Sequence, residues 1–486
     1  MLSSPKKEED YSELKGLDPS FFKLNRTNYI NNLKIRNPQL NLNSVIVLEG
    51  GNLLPKYDGD TSYYYFDQES NFYYLTGVLE PNFYAIIDLS NASLSLFIPL
   101  SDERTKVFMH VETLEDIAKK YECNAFDLLK MPSEISNLKP NKLYVLNGIN
   151  SDSKLSILTA DYNFVSPFEE LNDLIDHNTL IYEILADTRT RKTNEEIDLL
   201  KYLTKVTCDG HKEIMKKINE NMIERDVENI FYRYIREHLY IRNHPYEHIC
   251  GCGLNSATLH YIENDQKLKK DDLILIDMGG TLSGYCSDIT ITIPVSGKFS
   301  EKQKDIYTIV YNANREVMKN CKPGVNWVDM HLLAEKVIIE GLQKSGLLKK
   351  DVPSETMVNK RVGYYFMPHG LGHLIGLNVH DAGGYLSFTP PRRKENGLNL
   401  LRSARNLSVG NIYSVEPGIY FIPFLLEKAF KDNNVKEYFI ESKVREYFDF
   451  GGVRIEDDIL ITEEGCVNLS ESLPRTVEEI EEFMKK

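Results

Sequence analysis

The chain has one tryptophan in 486 residues and seven cysteines, an odd and scattered set. Such spacing offers no disulfide framework and favours reduced thiols in the cytoplasm. Cys250 and Cys252 could form half a metal site, but no second pair exists, so two small, partly buried thiols are expected. No apolar run approaches the length of a membrane helix. The start, MLSSPKKEEDYSELKG, lacks the apolar core of a signal peptide. The sequon Asn25-Arg26-Thr27 therefore carries no expected glycan. A basic stripe is also missing. At a formal net charge of -15, the surface repels nucleic acid and anionic membrane. Internal repeats and low-complexity tracts are absent. So are an HExxH helix, a P-loop and a nucleophile elbow. Gly370-Leu371-Gly372 followed by Gly376 misses the dinucleotide fingerprint by one position.

What is present is ordinary globular composition, 42% hydrophobic and 27% charged. The length exceeds what one core usually serves, so two domains are expected. Residues 1–187 alternate strand-like runs (Ser44–Leu48, Phe83–Leu89, Leu94–Ile98, Leu143–Leu146) with helical segments such as Leu114–Tyr121, which predicts a mixed α/β domain. Its aromatic cluster, Tyr63 to Phe66 and Phe72 to Tyr74, suits core or interface packing. No catalytic constellation occurs in this half.

The second domain is expected over 188–486. Thr193-Asn194-Glu195-Glu196 reads as a capping box. Ile197, Leu200, Leu203 and Val206 mark the helix behind it, and a second helix is predicted over Val227–Leu239. After residue 270 the period changes. Leu273–Met278 is apolar apart from Asp277, and Ser287–Ile293 alternates, with Asp288, Thr290 and Thr292 on one face. The glycine-rich turn Gly279–Gly284 makes these a hairpin that can set Asp277 across from Asp288. Leu386–Asn399 and Phe424–Phe448 lack periodicity and read as solvated surface insertions. Trp327 is assigned to packing.

An acid ending an apolar strand is costly unless paired or bound to a cation. For Asp277 and Asp288 alone, the wet end of a hairpin is the better account. Further residues change the balance: a histidine cluster at His369, His373 and His380 among glycines, Glu416 after a short strand, and Glu456 in Gly451–Asp458. Four acids and an imidazole exceed what one ion needs, whereas two adjacent divalent ions require such a set. Without cations these carboxylates would repel one another.

Asp277-Met278-Gly279-Gly280, Ser287-Asp288-Ile289-Thr290, Pro368-His369-Gly370-Leu371-Gly372-His373, Val379-His380-Asp381, Val415-Glu416-Pro417-Gly418 and Gly452-Val453-Arg454-Ile455-Glu456 resemble the pita-bread metallopeptidases. Asn43–Gly51, His248–Tyr261 and the tail from Leu473 to Ile480 look most like the prolidase branch. The resemblance implies a creatinase-like N-terminal domain, a pita-bread catalytic domain, and hydrolysis of Xaa-Pro dipeptides. It implies that Asp277 chelates one metal, that Asp288 and Glu456 bridge two, and that His373 and Glu416 complete the other. The metal would be Mn2+. A water between the ions would be the nucleophile, with Glu416 as proton shuttle. His260 and His380 would polarise the substrate carbonyl, or else serve as structural histidines. Arg402 would read the substrate carboxylate. Arg454 would assist it or orient Glu456, and Tyr246 would line the pocket or pack in the core. A homodimer is implied. Two alternatives stay open: an aminopeptidase P-like enzyme taking longer peptides, and a non-catalytic binding protein on the same fold. The second fits poorly with five ligand positions intact.

Overall fold

Short aliphatic runs closed by turn residues build the sheet of the first half. The computed structural model describes residues 17–59, 63–101, 103–160, 171, 173–239, 241 and 243–485. They fall into two compact units, one ending at Thr188 and one beginning at Arg189.

The first unit holds a six-stranded mixed sheet. Its strands are Val45–Glu49 (β1), Tyr84–Asp88 (β2), Leu94–Ile98 (β3), Asn124–Asp127 (β4), Leu143–Val145 (β5) and Ile175–Asp176 (β6), in the order β4-β3-β2-β1-β5-β6. The hairpin and its neighbour pair antiparallel, while β4, β5 and β6 join parallel. Val45, Val47, Tyr84, Ile86 and Phe97 bury one face against Met131 and Ile135, as the alternation of strand side chains demands. Helix Pro19–Arg36 starts at Asp18, whose side chain accepts from the Ser20 N–H. Its Asn25 is fully buried and donates to the Tyr74 carbonyl at 3.2 Å. The aromatic cluster divides. Phe72, Tyr73 and Tyr74 are core, while Tyr63, Tyr64 and Tyr65 are exposed.

The second unit repeats a theme of two helices followed by strands. Helices Asn194–Lys217 and Glu224–Leu239 precede Ile249–Cys252 (β7), Leu273–Asp277 (β8), Thr281–Leu282 (β9), Tyr285–Cys286 (β10) and Thr290–Pro294 (β11). The capping box at Thr193 and Glu196 is present. The second helix begins at Glu224, three residues earlier than its apolar stripe suggests. The Ile223 N–H is taken by Asp226 at that end. Cys250 and Cys252 lie buried on β7 as free thiols. Helices Glu301–Asn320 and Trp327–Lys344 precede Ile412–Val415 (β12), Gly418–Tyr420 (β13), Gly452–Arg454 (β14), Asp457–Ile461 (β15) and Cys466–Asn468 (β16). Sheets run β11-β8-β7 and β12-β15-β16, with β13 paired to β14. Trp327 is fully buried against Tyr413.

Three expectations need correction. The strand expected from Ser287 starts at Thr290: the Ser287 N–H still reaches the Gly280 carbonyl across the hairpin, but the Cys286 N–H goes to the Gly376 carbonyl and Ser287 Oγ to Thr207. Thr290, not Asp288, faces Asp277 in the ladder, in the same register that pairs Cys286 with Thr281, and Asp288 lies one pleat further along. The glycine-rich turn is itself a small hairpin, β9 with β10, turning at Ser283 and Gly284, both with positive φ. Finally, Phe424–Phe448 is no solvated insertion. It contains helices Pro423–Lys431 and Glu441–Arg445, and Leu426, Ala429, Val435, Tyr438, Phe439 and Val444 are buried. Phe439 stacks on Phe366. These helices are too short to show a period.

Candidate metal centre

Two interrupted strands and one strand end bring the acids together. Val415 pairs with Asp457 and Gly418 with Arg454. Between those pairs both chains leave the ladder, and Glu416 and Glu456 stand at the facing breaks. Asp277 ends β8, and Asp288 precedes β11. His373 follows Gly372, where an added Cβ would lie 2.0 Å from the Ser414 carbonyl oxygen. Only glycine permits this approach. It lets the His373 and Ser414 backbones bond directly, Ser414 N–H to His373 O at 2.9 Å.

Asp288, His373 and Glu456 are buried and each offers a ligand atom within 4.8 Å of the others. His373 Nε2 lies 3.3 Å from Asp288 Oδ2 and 3.5 Å from Glu416 Oε1. The His373 Nδ1 sits 3.1 Å from the Leu374 carbonyl. A proton held there leaves the Nε2 lone pair for a cation. Glu456 Oε2 accepts from Thr290 Oγ1 at 2.6 Å, and Asp288 Oδ1 accepts from Tyr246 Oη at 2.6 Å. Arg454 Nη2 donates to Asp277 Oδ2 at 2.7 Å, while Asp277 Oδ1 is buried with no hydrogen-bond partner among the described residues.

Burial, followed by repulsion from the neighbouring acids, pushes Asp288 and Glu456 well above the carboxylate range. Burial also raises Glu416, against the pull of His373, Arg454 and Arg402. Buried acids in this condition are what bound cations relieve. The donor set fits a pair of hard divalent ions: four carboxylates, one imidazole, and an orphaned Asp277 oxygen pointing at no protein donor.

The other expected residues surround this group. His380 packs its ring perpendicular to His373, centroids 4.4 Å apart, and burial pushes its imidazole down to about 2. His260 is exposed and lies within electrostatic reach of His369 and His380. Arg402 is half-buried, and its charge acts on His380 and Glu416. Arg454 directs its guanidinium to Asp277, Thr290 and Tyr420 rather than to the Glu456 carboxylate. Tyr246 sits against Asp288, as above.

Sequence reasoning passed over His369 and Tyr420. His369 Nε2 meets Tyr420 Oη at 3.1 Å, Tyr420 Oη accepts from Arg454 Nη1 at 2.8 Å, and His369 Nδ1 lies 3.7 Å from Glu416 Oε2. His369 stood in the histidine cluster, but its spacing gave it no separate task. Asp381 was also passed over. It is buried and holds Arg189 (2.5 Å) and Lys192 (3.0 Å), both buried. The signal was an acid following His380 and two basic residues before the capping box.

The chain is similar to known proteins over nearly its whole length. A model of metallopeptidase family M24 matches residues 198–463, and one of the aminopeptidase P N-terminal domain matches 22–145. The Xaa-Pro dipeptidase of Homo sapiens is 37% identical over 471 residues, covering 96% of this chain and 93% of that protein. A probable Xaa-Pro aminopeptidase, pepP of Botryotinia fuckeliana, is 32% identical over 87% of this chain and 88% of its own. Among solved structures, the aminopeptidase PepP of Pseudomonas aeruginosa superposes with a TM-score of 0.77 at 26% identity, covering 96% of this chain and 98% of that one. Zinc-substituted Escherichia coli aminopeptidase P in complex with product gives 0.77 at 26%, covering 97% and 99%.

Proposed function

The chain belongs to metallopeptidase family M24, and from that membership we propose that it hydrolyses the Xaa-Pro bond of dipeptides ending in proline. The observation that carries this reading is the convergence of buried Asp288, His373 and Glu456, flanked by Glu416 and Asp277. Asp277, Asp288, His373, Glu416 and Glu456 would hold two divalent ions. When bound, such ions polarise the scissile carbonyl and make water a nucleophile near neutral pH.

The remaining chemistry belongs to the side chains. Glu416 takes the proton of the attacking water and passes it to the proline nitrogen as the bond breaks. His380, held neutral by burial, donates a hydrogen bond to the carbonyl oxygen without bringing charge of its own, and His260 approaches from the exposed side. Tyr246 fixes one oxygen of Asp288, and Arg454 fixes one of Asp277. Arg402 pairs with the free carboxylate of the dipeptide, a task suited to a planar guanidinium. The half-buried place of Arg402 within electrostatic reach of His380 and Glu416 supports a dipeptide over a longer substrate.

Hard oxygen donors favour manganese as the resident metal. Seven free cysteines support a cytoplasmic home. The exposed Tyr63, Tyr64 and Tyr65 support a homodimer. A second reading, removal of the first residue from longer Xaa-Pro peptides, draws on the likeness to Xaa-Pro aminopeptidases. Assay of Gly-Pro beside Gly-Pro-Gly with added Mn2+ separates them. Turnover of Gly-Pro that vanishes in Asp288→Asn is expected, and turnover of the tripeptide alone would replace the first reading with the second.

A further inference from the structure

The tail of the chain carries a buried cation that the chemistry above does not use. Arg475 is 4% exposed and lies beyond the residues 198–463 matched by the family model. Its backbone is fixed. The Arg475 N–H donates to Glu479 Oε2 at 3.0 Å, its carbonyl accepts from Tyr307 Oη at 2.9 Å, and Thr476 caps the terminal helix Val477–Phe483.

The guanidinium makes four hydrogen bonds inward. Nε and Nη2 donate to Asp457 Oδ1 at 3.2 and 2.7 Å, Nη1 to the Thr290 carbonyl at 2.8 Å, and Nη2 to the Glu456 carbonyl at 2.5 Å. Asp457 is held in turn by Ser470 Oγ at 2.5 Å and Arg315 Nη2 at 3.2 Å. The two carbonyls matter because of where they sit. Glu456 stands at the break between β14 and β15, outside both ladders. Its N–H reaches the Thr290 carbonyl at 3.1 Å, and its own carbonyl is met by Arg475. A buried carbonyl needs a donor, and here an arginine stands in for the missing strand. The same guanidinium grips Thr290, whose hydroxyl bonds the Glu456 carboxylate and whose segment carries Asp288.

We propose that Arg475, seated on Asp457, is a positioning residue that clamps the backbones of Glu456 and Thr290 and thereby holds the bridging acids at the spacing a metal pair requires. The clamp rests on the dinuclear reading of the site. Lysine cannot replace it, because one ammonium cannot span two carbonyls and a carboxylate that a planar fork reaches together.

The test is calorimetric titration of Mn2+ into metal-free full-length chain, wild type against Arg475→Lys, with circular dichroism and melting followed in parallel. The expected result is a folded variant whose Mn2+ affinity falls about 10- to 100-fold, with the KM for Gly-Pro unchanged once metal saturates. A folded Arg475→Lys chain that binds Mn2+ like wild type overturns the clamp. If that variant does not fold, Asp457→Asn takes its place under the same criterion, and failure of both to fold counts against the proposal, since Arg475 would then hold up the fold rather than tune the centre. A wild-type chain that takes up no divalent ion would instead overturn the dinuclear reading, together with everything built on it.

Discussion

Arg454 and Asp277 form a largely buried ion pair, Nη2 to Oδ2 at 2.7 Å, that uses one carboxylate oxygen and leaves the other without a partner among the described residues. The guanidinium is spent on fixing the acid, since its remaining bonds go to Thr290 and Tyr420. Removing one partner of such a pair leaves an uncompensated charge. Arg454→Met should therefore destabilise the metal-free chain by about 3–5 kcal/mol. Added Mn2+ should recover part of that loss, because a cation can take over the partner's role. Melting curves with and without metal check both statements.

Arg402 should matter most when the substrate offers a carboxylate. Arg402→Ala is expected to raise the KM for Gly-Pro about 10- to 100-fold, the worth of a charge-assisted contact. Hydrolysis of Gly-Pro amide, which lacks that group, should be slow in both proteins and far less changed by the substitution. Steady-state kinetics on the two substrates separates a carboxylate reader from a general packing residue.

Burial pushes Asp381 upward, but Arg189 and Lys192 more than offset this and hold it below its ordinary 3.8. A depressed folded value means that the group's stabilisation is complete above the ordinary carboxylate range and disappears as pH falls through the lowered value. Asp381→Asn leaves two buried cations facing a neutral amide, at a cost of about 3 kcal/mol near neutral pH. Denaturant titrations should show that gap at pH 7 and a narrowing gap below about pH 4.

Gly372→Ala should damage the centre without touching a ligand. The added methyl meets the Ser414 carbonyl at 2.0 Å, so the backbone joining His373 to Ser414 must move apart. A loss of about 1–3 kcal/mol is expected, together with weaker Mn2+ uptake in calorimetry.

How far the sequence could be read differs from place to place. Strand β8 and its terminal Asp277 were visible because an acid breaks an apolar run, and the capping box at Thr193 because it is local chemistry. The meeting of Asp288, His373 and Glu456 was not a matter of period. Residues 85 and 83 positions apart converge through sheet pairing, and only the resemblance of their flanking motifs announced it. Register failed by one pleat at Asp288, since the turn at Ser283 and Gly284 pairs Cys286 with Thr281 and so sets Thr290 opposite Asp277. Phe424–Phe448 failed for another reason: polar residues outnumber the few aromatic anchors that fix its short helices. Arg475 looked like one letter of a tail motif, and nothing local reveals that its donors reach Thr290 and Glu456.

Asn25 has a further consequence for any cell that routes this chain through a glycosylating compartment. Its amide nitrogen is the atom a sugar would occupy, and in the folded state that atom is committed to Tyr74 inside the helix packing. An oligosaccharide there would record a polypeptide caught before helix Pro19–Arg36 had docked.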